Sequence, residues 1–165
     1  MKGTETSNRI RDAFLDAVKS FGGTIETMND LASKATIPNV RQVYERLGQS
    51  GRNVYLIHGV GLINIHVRSE PPGWWNVLKT VKEDFDLLRR ELGIETYFLL
   101  LIGRSDRHVA NGYIASDFTK SPVTRHPGIE GTKFTINERQ HLDPSKRLLS
   151  VEQVAKILLE ARRPV

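Results

Sequence analysis

The run YFLLLI, Tyr97 to Ile102, constrains this chain more than any other stretch. Successive side chains on a strand point to opposite faces. A strand apolar at every position therefore needs cover on both sides, and the run reads as a central, buried strand. It is far too short to span a bilayer. The chain must then supply a sheet around it and layers above and below.

The flanking patterns supply those elements. Ile10, Phe14, Ala17, Val18 and Phe21 recur at helical spacing, predicting a helix over 8–20 that Gly22-Gly23 stop. Thr27 suits the N-cap of a short helix running to Lys34, with Met28, Leu31 and Ala32 inward. Pro38 suits the first turn of a third helix, with Val40, Val43, Tyr44 and Leu47 inward, ending before Gly48. Val54–Ile57 and Leu62–Arg68 read as a hairpin around the glycine-containing turn His58 to Gly61. Trp74, Leu78, Val81, Phe85, Leu88 and Leu92 are three or four apart, predicting one long amphipathic helix over 74–92. Gly93 ends it, with Arg89 and Arg90 in its last turn. Asn111-Gly112 reads as a turn before a short strand at 113–115, residues 117–131 as irregular loop, and Lys133–Asn137 as one more strand. Ser150 opens a final helix through the capping-box pattern SVEQ, with Val151, Val154, Ile157, Leu158 and Ala161 on its core face.

The expected class is α+β. N-terminal helices precede a mixed central sheet holding a hairpin and a buried strand, with one long amphipathic helix and a C-terminal helix. A length of 165 residues fits a single domain. Residues 1–50 would be a helical subregion packed on an α/β core over 51–165. Helix, turn, helix, hairpin is also the order of a winged helix. The chain has no cysteine, which removes disulfides, thiolate metal sites and a cysteine nucleophile. The N-terminal stretch MKGTETSNRIRDAF has no apolar segment of signal-peptide type, and a cytoplasmic location is expected.

The formal net charge is +5, and it is regional. Residues 36–68 carry four basic side chains against one acidic, and residues 133–165 seven against four. Such a face favours an anionic partner. Asn64, His66 and Arg68 alternate along the second hairpin strand and share one of its faces. That face is either a working surface or the solvated side of a sheet. Arginine and histidine recur together at His66/Arg68, Arg104/Arg107/His108, Arg125/His126 and Arg139/His141. Arginine offers a fork for phosphate, and histidine a hydrogen bond or a proton. Arg104 to His108 follow the buried strand directly, where ligands often bind. Arg41, Arg46 and Arg52 would face outward around the third helix and meet phosphates. Of the two tryptophans, Trp74 lies on the predicted helix stripe and belongs to the core. Trp75 is then the aromatic free to stack on a base.

The element order from 52 to 115 resembles the PD-(D/E)xK nuclease core, the restriction-endonuclease-like fold. That family sets an acid on one strand and acid-x-lysine on the next, to hold a divalent metal and orient water. Here the first strand is VYLI, without an acid, and the second offers Asn64-Ile65-His66. No catalytic residue is carried over, and no metal ligand or cofactor is expected. Mg²⁺ would enter only with a nuclease.

The leading expectation is a nucleic-acid-binding protein, with DNA as partner, of restriction or defence type, gripping phosphates with an Arg/His surface. Two other readings stand beside it. One is a nuclease or phosphodiesterase, metal-dependent or using His66 and His108 as acid and base. The other is a protein-interaction module. No membrane partner is expected. The oligomeric state is open, a homodimer being one arrangement.

Overall fold

A computed structural model describes residues 2–68, 73–104, 107–116 and 128–162. A five-stranded sheet runs through the chain in the order β1 (Ile25–Thr27), β2 (Val54–Ile57), β3 (Gly61–Arg68), β5 (Thr96–Arg104), β6 (Arg107–Ala115). The β3–β5 pair is parallel and its other pairs are antiparallel, so the sheet is mixed and the class is α+β. A second sheet of three strands has the order β4 (Trp74–Leu78), β8 (Lys133–Asn137), β7 (Gly128–Glu130).

The run 97–102 lies within β5, paired on both sides, and its residues 98–102 are all buried. Alternation splits it between two cores. Leu99 and Leu101, with Ile63 and Ile65, face α1 (Lys2–Ser20) and α6 (Val151–Glu160). Phe98, Leu100 and Ile102, with Leu62, face α3 (Pro38–Leu47), α4 (Lys79–Leu92) and the inner side of the small sheet. α2 (Met28–Lys34) packs with α3 on that second side. The first fifty residues are thus divided across the sheet, with α1 on one face and α2–α3 on the other.

The caps follow the sequence. Thr27 accepts from the Asp30 backbone N–H, Pro38 opens α3, and Ser150 accepts from the Gln153 N–H. Gly93 closes α4 in the left-handed region at φ 67°. The β2–β3 hairpin is built into the sheet rather than projecting as a wing, because β2 also pairs β1 and β3 also pairs β5.

Four local readings are corrected. Residues 74–78 form a strand, and α4 begins only at Lys79. Period two therefore governs the tryptophans: Trp75 is buried at 3% exposure, and Trp74 is 39% exposed. Asn111-Gly112 is not a turn but the middle of β6. Its glycine lets backbones approach closely, since a Cβ on Gly112 would stand 2.1 Å from the Leu100 oxygen. Residues 128–130 form β7 within a stretch read as loop. On α6 the buried residues include Ala155 and Leu159, while Ile157 is exposed.

Candidate functional site

Asn64 sits mid-strand on β3 and is buried, at 1% exposure. A buried amide needs partners for both ends. Its Nδ2 donates to the Arg52 carbonyl at 2.7 Å and more weakly to that of Asn53 at 3.4 Å. Its Oδ1 faces His66 Nε2 at 2.5 Å. An amide oxygen only accepts, so Nε2 carries the hydrogen and Nδ1 is left as the lone-pair nitrogen. Burial pushes the His66 pKa down to about 4. The residue keeps partial solvent contact, and its imidazole is neutral at pH 7.

Asn53, just before β2, is the only non-glycine among the described residues with positive φ, at 53°. Asparagine tolerates that region better than most residues. Its Oδ1 accepts from Arg11 of α1 at 3.3 Å. A cavity of about 250 Å³ opens beside it, lined by Arg11, Thr27, Asn29, Gly48 and Tyr55 among others. Neither Arg11 nor Asn53 carries a sequence signal of its role. A positive φ and an Arg–Asn contact across 42 residues leave no local pattern.

Two residues beyond His66, Arg68 is exposed at the end of β3. Its guanidinium lies over the Trp74 ring, 5.5 Å from the centroid. That is cation–π geometry. Trp75 is inward, donating its indole N–H to the Leu101 carbonyl at 3.0 Å and meeting Tyr113 edge-on. The aromatic available to a ligand is therefore Trp74, not Trp75.

Backbone register locates the other candidates. Arg68 lies opposite Ile102, which lies opposite Asn111. Arg104 and Arg107 pair with each other just beyond, with His108 next in β6. One end of the sheet thus gathers strand positions 68, 104, 107 and 108. His66 is in the row of Leu100 and Tyr113. His108 is five residues along β6 from that row and two strands across, roughly 16 Å away along the strand direction alone. The strands do not bring His66 and His108 side by side.

The front arginines have structural partners. Arg46 pairs with Asp84 of α4 through two contacts, at 2.8 and 3.3 Å. Arg41 donates to the Ala35 carbonyl at the end of α2. Arg52 reaches Thr80 and Gln49. Arg41 is exposed with a neutral carbonyl as its partner, and Arg46 keeps about half its side chain exposed beside Asp84. Arg125 and His126 lie outside the described residues. In α5 (Glu138–His141), Arg139 is exposed, and His141 accepts from the Asn137 N–H at 2.8 Å.

Behind the site, Tyr113 donates to Glu138 Oε2 at 2.5 Å, and Arg147 grips the same oxygen. Burial and that bond push Tyr113 up to about 12. Burial raises Glu138, but its bonds from Tyr113 and Arg147 outweigh this and hold it below the usual range. Among the described residues, no three His, Asp or Glu side chains cluster as metal ligands would. The donors at Asn64 and His66 are an amide and an imidazole, which do not fit Mg²⁺.

No family model matches the chain, and no curated protein sequence matches it. Among solved structures it is similar to Hjc, a Holliday junction resolvase from the archaeal hyperthermophile Archaeoglobus fulgidus. The two are 15% identical, with a TM-score of 0.44, covering 94% of this chain and 97% of that one. No residue of that protein is carried over to this chain. Among the described residues, no helix is long and apolar enough to cross a membrane.

Proposed function

We propose that this is a nucleic-acid-binding protein, with DNA as its partner, that holds phosphates without cutting them. The observation that carries the reading is the sheet end where the backbones of β3, β5 and β6 bring together strand positions 68, 104, 107 and 108, which the sequence fills with three arginines and a histidine. Arginine forks suit phosphate oxygens, and contacts of this kind position a protein on its partner. The regional positive charge supports it, and so does the amide–imidazole pair at Asn64 and His66, which carries no negative charge to repel phosphate. A restriction or defence role belongs to the same proposal and rests on the sequence resemblance alone; a cytoplasmic location is proposed with it, from the absence of a signal-peptide-type segment in the N-terminal stretch.

The test is anisotropy titration of a labelled duplex at rising salt. With three phosphates neutralised, affinity falls roughly 40-fold between about 50 and 200 mM salt. Binding indifferent to salt rejects the reading, and so does a triple substitution of Arg68, Arg104 and Arg107 to glutamine that leaves it unchanged.

A second reading, a phosphodiesterase with His66 as base, is favoured by one observation: Asn64 fixes the ring so that Nδ1 is the basic nitrogen. It requires cleavage in the presence of a chelator that His66→Gln abolishes.

A further inference from the structure

We propose that the outward face of the small sheet is a stacking platform for an unpaired nucleobase. The partner class is then single-stranded nucleic acid, or a duplex carrying an unpaired segment. This rests on the nucleic-acid reading above and narrows it.

The inward face of this sheet is fixed by Trp75, Val77 and Ile136, all buried in the core. Alternation turns Trp74 and Asn76 of β4 outward. Across the ladder they meet Asn137 and Thr135 of β8, in the pairs Trp74–Asn137 and Asn76–Thr135. Lys133 follows on the same face and is exposed. The Thr135 hydroxyl donates to Asn76 Oδ1 at 3.0 Å, which fixes the orientation of that amide.

The chemistry of this row is specific. Trp74 is a large flat ring, 39% exposed on a strand whose next residue is buried at 3%. Aromatic faces of this kind stack bases whatever their sequence, and a neighbouring arginine adds to the interaction. Arg68 is already over the ring. Amide and hydroxyl groups beside it have the donors and acceptors that base edges need, and Lys133 has the charge a backbone phosphate needs. Arg139 is two residues beyond the Asn137 that pairs with Trp74, and it is exposed. The acidic residue nearest by register is Glu138, next after Asn137, and its carboxylate is turned to Tyr113 and Arg147; Glu130 lies opposite Lys133 by backbone register.

Charge complementarity favours a polyanion over an apolar protein surface. The exposed ring stands among amide, hydroxyl and ammonium groups, and the aliphatic residue of the row, Leu78 opposite Lys133, is partly buried against the core, which favours a base over an aliphatic side chain. Fully paired duplex has no base face to offer, which is why the unpaired form is inferred. Arg68 links this platform to strand positions 104 and 107 at the sheet end, so a strand stacked on Trp74 runs its backbone toward them.

The test uses intrinsic tryptophan fluorescence on the whole chain. Trp75 is enclosed and bonded to Leu101, so quenching by added nucleic acid reports Trp74. Oligothymidylate of fifteen nucleotides is the probe, with a fifteen-base-pair duplex and heparin as comparisons. Expected results are quenching by oligothymidylate but not by heparin, and a loss of about tenfold or more in oligothymidylate affinity for Trp74→Ala. Trp74→Phe retains most of the affinity, and Trp74→Ala leaves duplex affinity within about twofold. Circular dichroism of each variant shows that the fold is kept.

Equal binding of oligothymidylate by Trp74→Ala and the parent chain overturns the platform, while salt-dependent duplex binding would leave the broader reading standing. Absence of binding to all three probes at low salt overturns both. A concentration-dependent dimer that Trp74→Ala disperses, without quenching by oligothymidylate, assigns the face to a second copy and overturns the platform.

Discussion

Arg46 and Asp84 face each other from α3 and α4, 38 residues apart in the chain, and the guanidinium holds both carboxylate oxygens. Asp84 is almost enclosed, at 8% side-chain exposure, while Arg46 keeps 49%. The pair stitches the α2–α3 unit to the long helix.

Removing only the arginine strands a buried charge. Arg46→Ala should destabilise the fold by about 2 kcal/mol, measured by urea unfolding. The double variant Arg46→Ala/Asp84→Ala should recover part of that loss, since no charge is left unpaired. Nucleic-acid affinity at low salt should change little, because Arg46 is already engaged.

Asn64 makes three polar contacts from one buried amide. Asn64→Ala leaves the Arg52 carbonyl and the His66 ring N–H without their partner, while the Asn53 carbonyl keeps the Ile65 N–H, and should cost about 1–3 kcal/mol by urea unfolding. Nitrogen chemical shifts of His66 should report hydrogen on Nε2 in the parent chain and a mixed tautomer in the variant.

Acid weakens this fold partly through His66. Its folded pKa of about 4 lies below the ordinary value of 6.5, so the unfolded chain binds the proton more readily. The stabilisation is fully present above about pH 6.5 and is lost as pH falls through about 4. Glu26, held down by its bond from Lys34, adds in the same direction at the lower end. Comparison with His66→Gln isolates the imidazole, whose share should be at most about 3 kcal/mol between pH 7 and 4.

Alkali acts through Tyr113. Its pKa is raised to about 12 in the folded chain, so its stabilisation is present below about pH 10 and is lost as pH rises through 12. Tyr113→Phe should remove that alkaline limb and cost about 1 kcal/mol at neutral pH for the lost bond to Glu138. Thermal unfolding at pH 8, 10 and 11 checks both.

Gly103 is tightly enclosed. A Cβ there would stand 1.8 Å from the Ile10 Cδ1 atom of α1. Gly103→Ala should cost about 1–3 kcal/mol through overpacking. Ile10→Val removes the offending methyl, so the double variant should regain stability over Gly103→Ala alone.

The elements carried by local chemistry were legible in the sequence. Thr27, Pro38, Gly93 and Ser150 mark helix ends that the structure keeps. The apolar run 97–102 lies within the paired central strand. Errors arose where two periods fit the same letters. Trp74 through Leu78 suited both a helix stripe and a strand, and pairing with β8 decided for the strand. Asn111-Gly112 carries turn chemistry, yet β6 pairs straight through it because Gly112 alone fits against Leu100. The site was half legible. The shared face of Asn64, His66 and Arg68 follows from alternation. The roles of Arg46, Arg11 and Asn53 depend on partners dozens of residues away, and no window of sequence shows them.

The packing of α1 against α6 sets a limit on how this protein is made. Ile10, Phe14 and Val18 at one end of the chain share a core with Val151, Val154 and Leu158 at the other. Arg162 also reaches back to the Gly22 carbonyl at 3.2 Å. During synthesis the early helix emerges long before its partner exists, and domains generally fold as units. β3 and β5 can cover part of its apolar face earlier, but the part that packs on α6 stays bare until the ribosome has released that helix. A nascent chain stalled before Val151 should therefore be bound by a holdase or digested by protease, and completion of the last helix should abolish both.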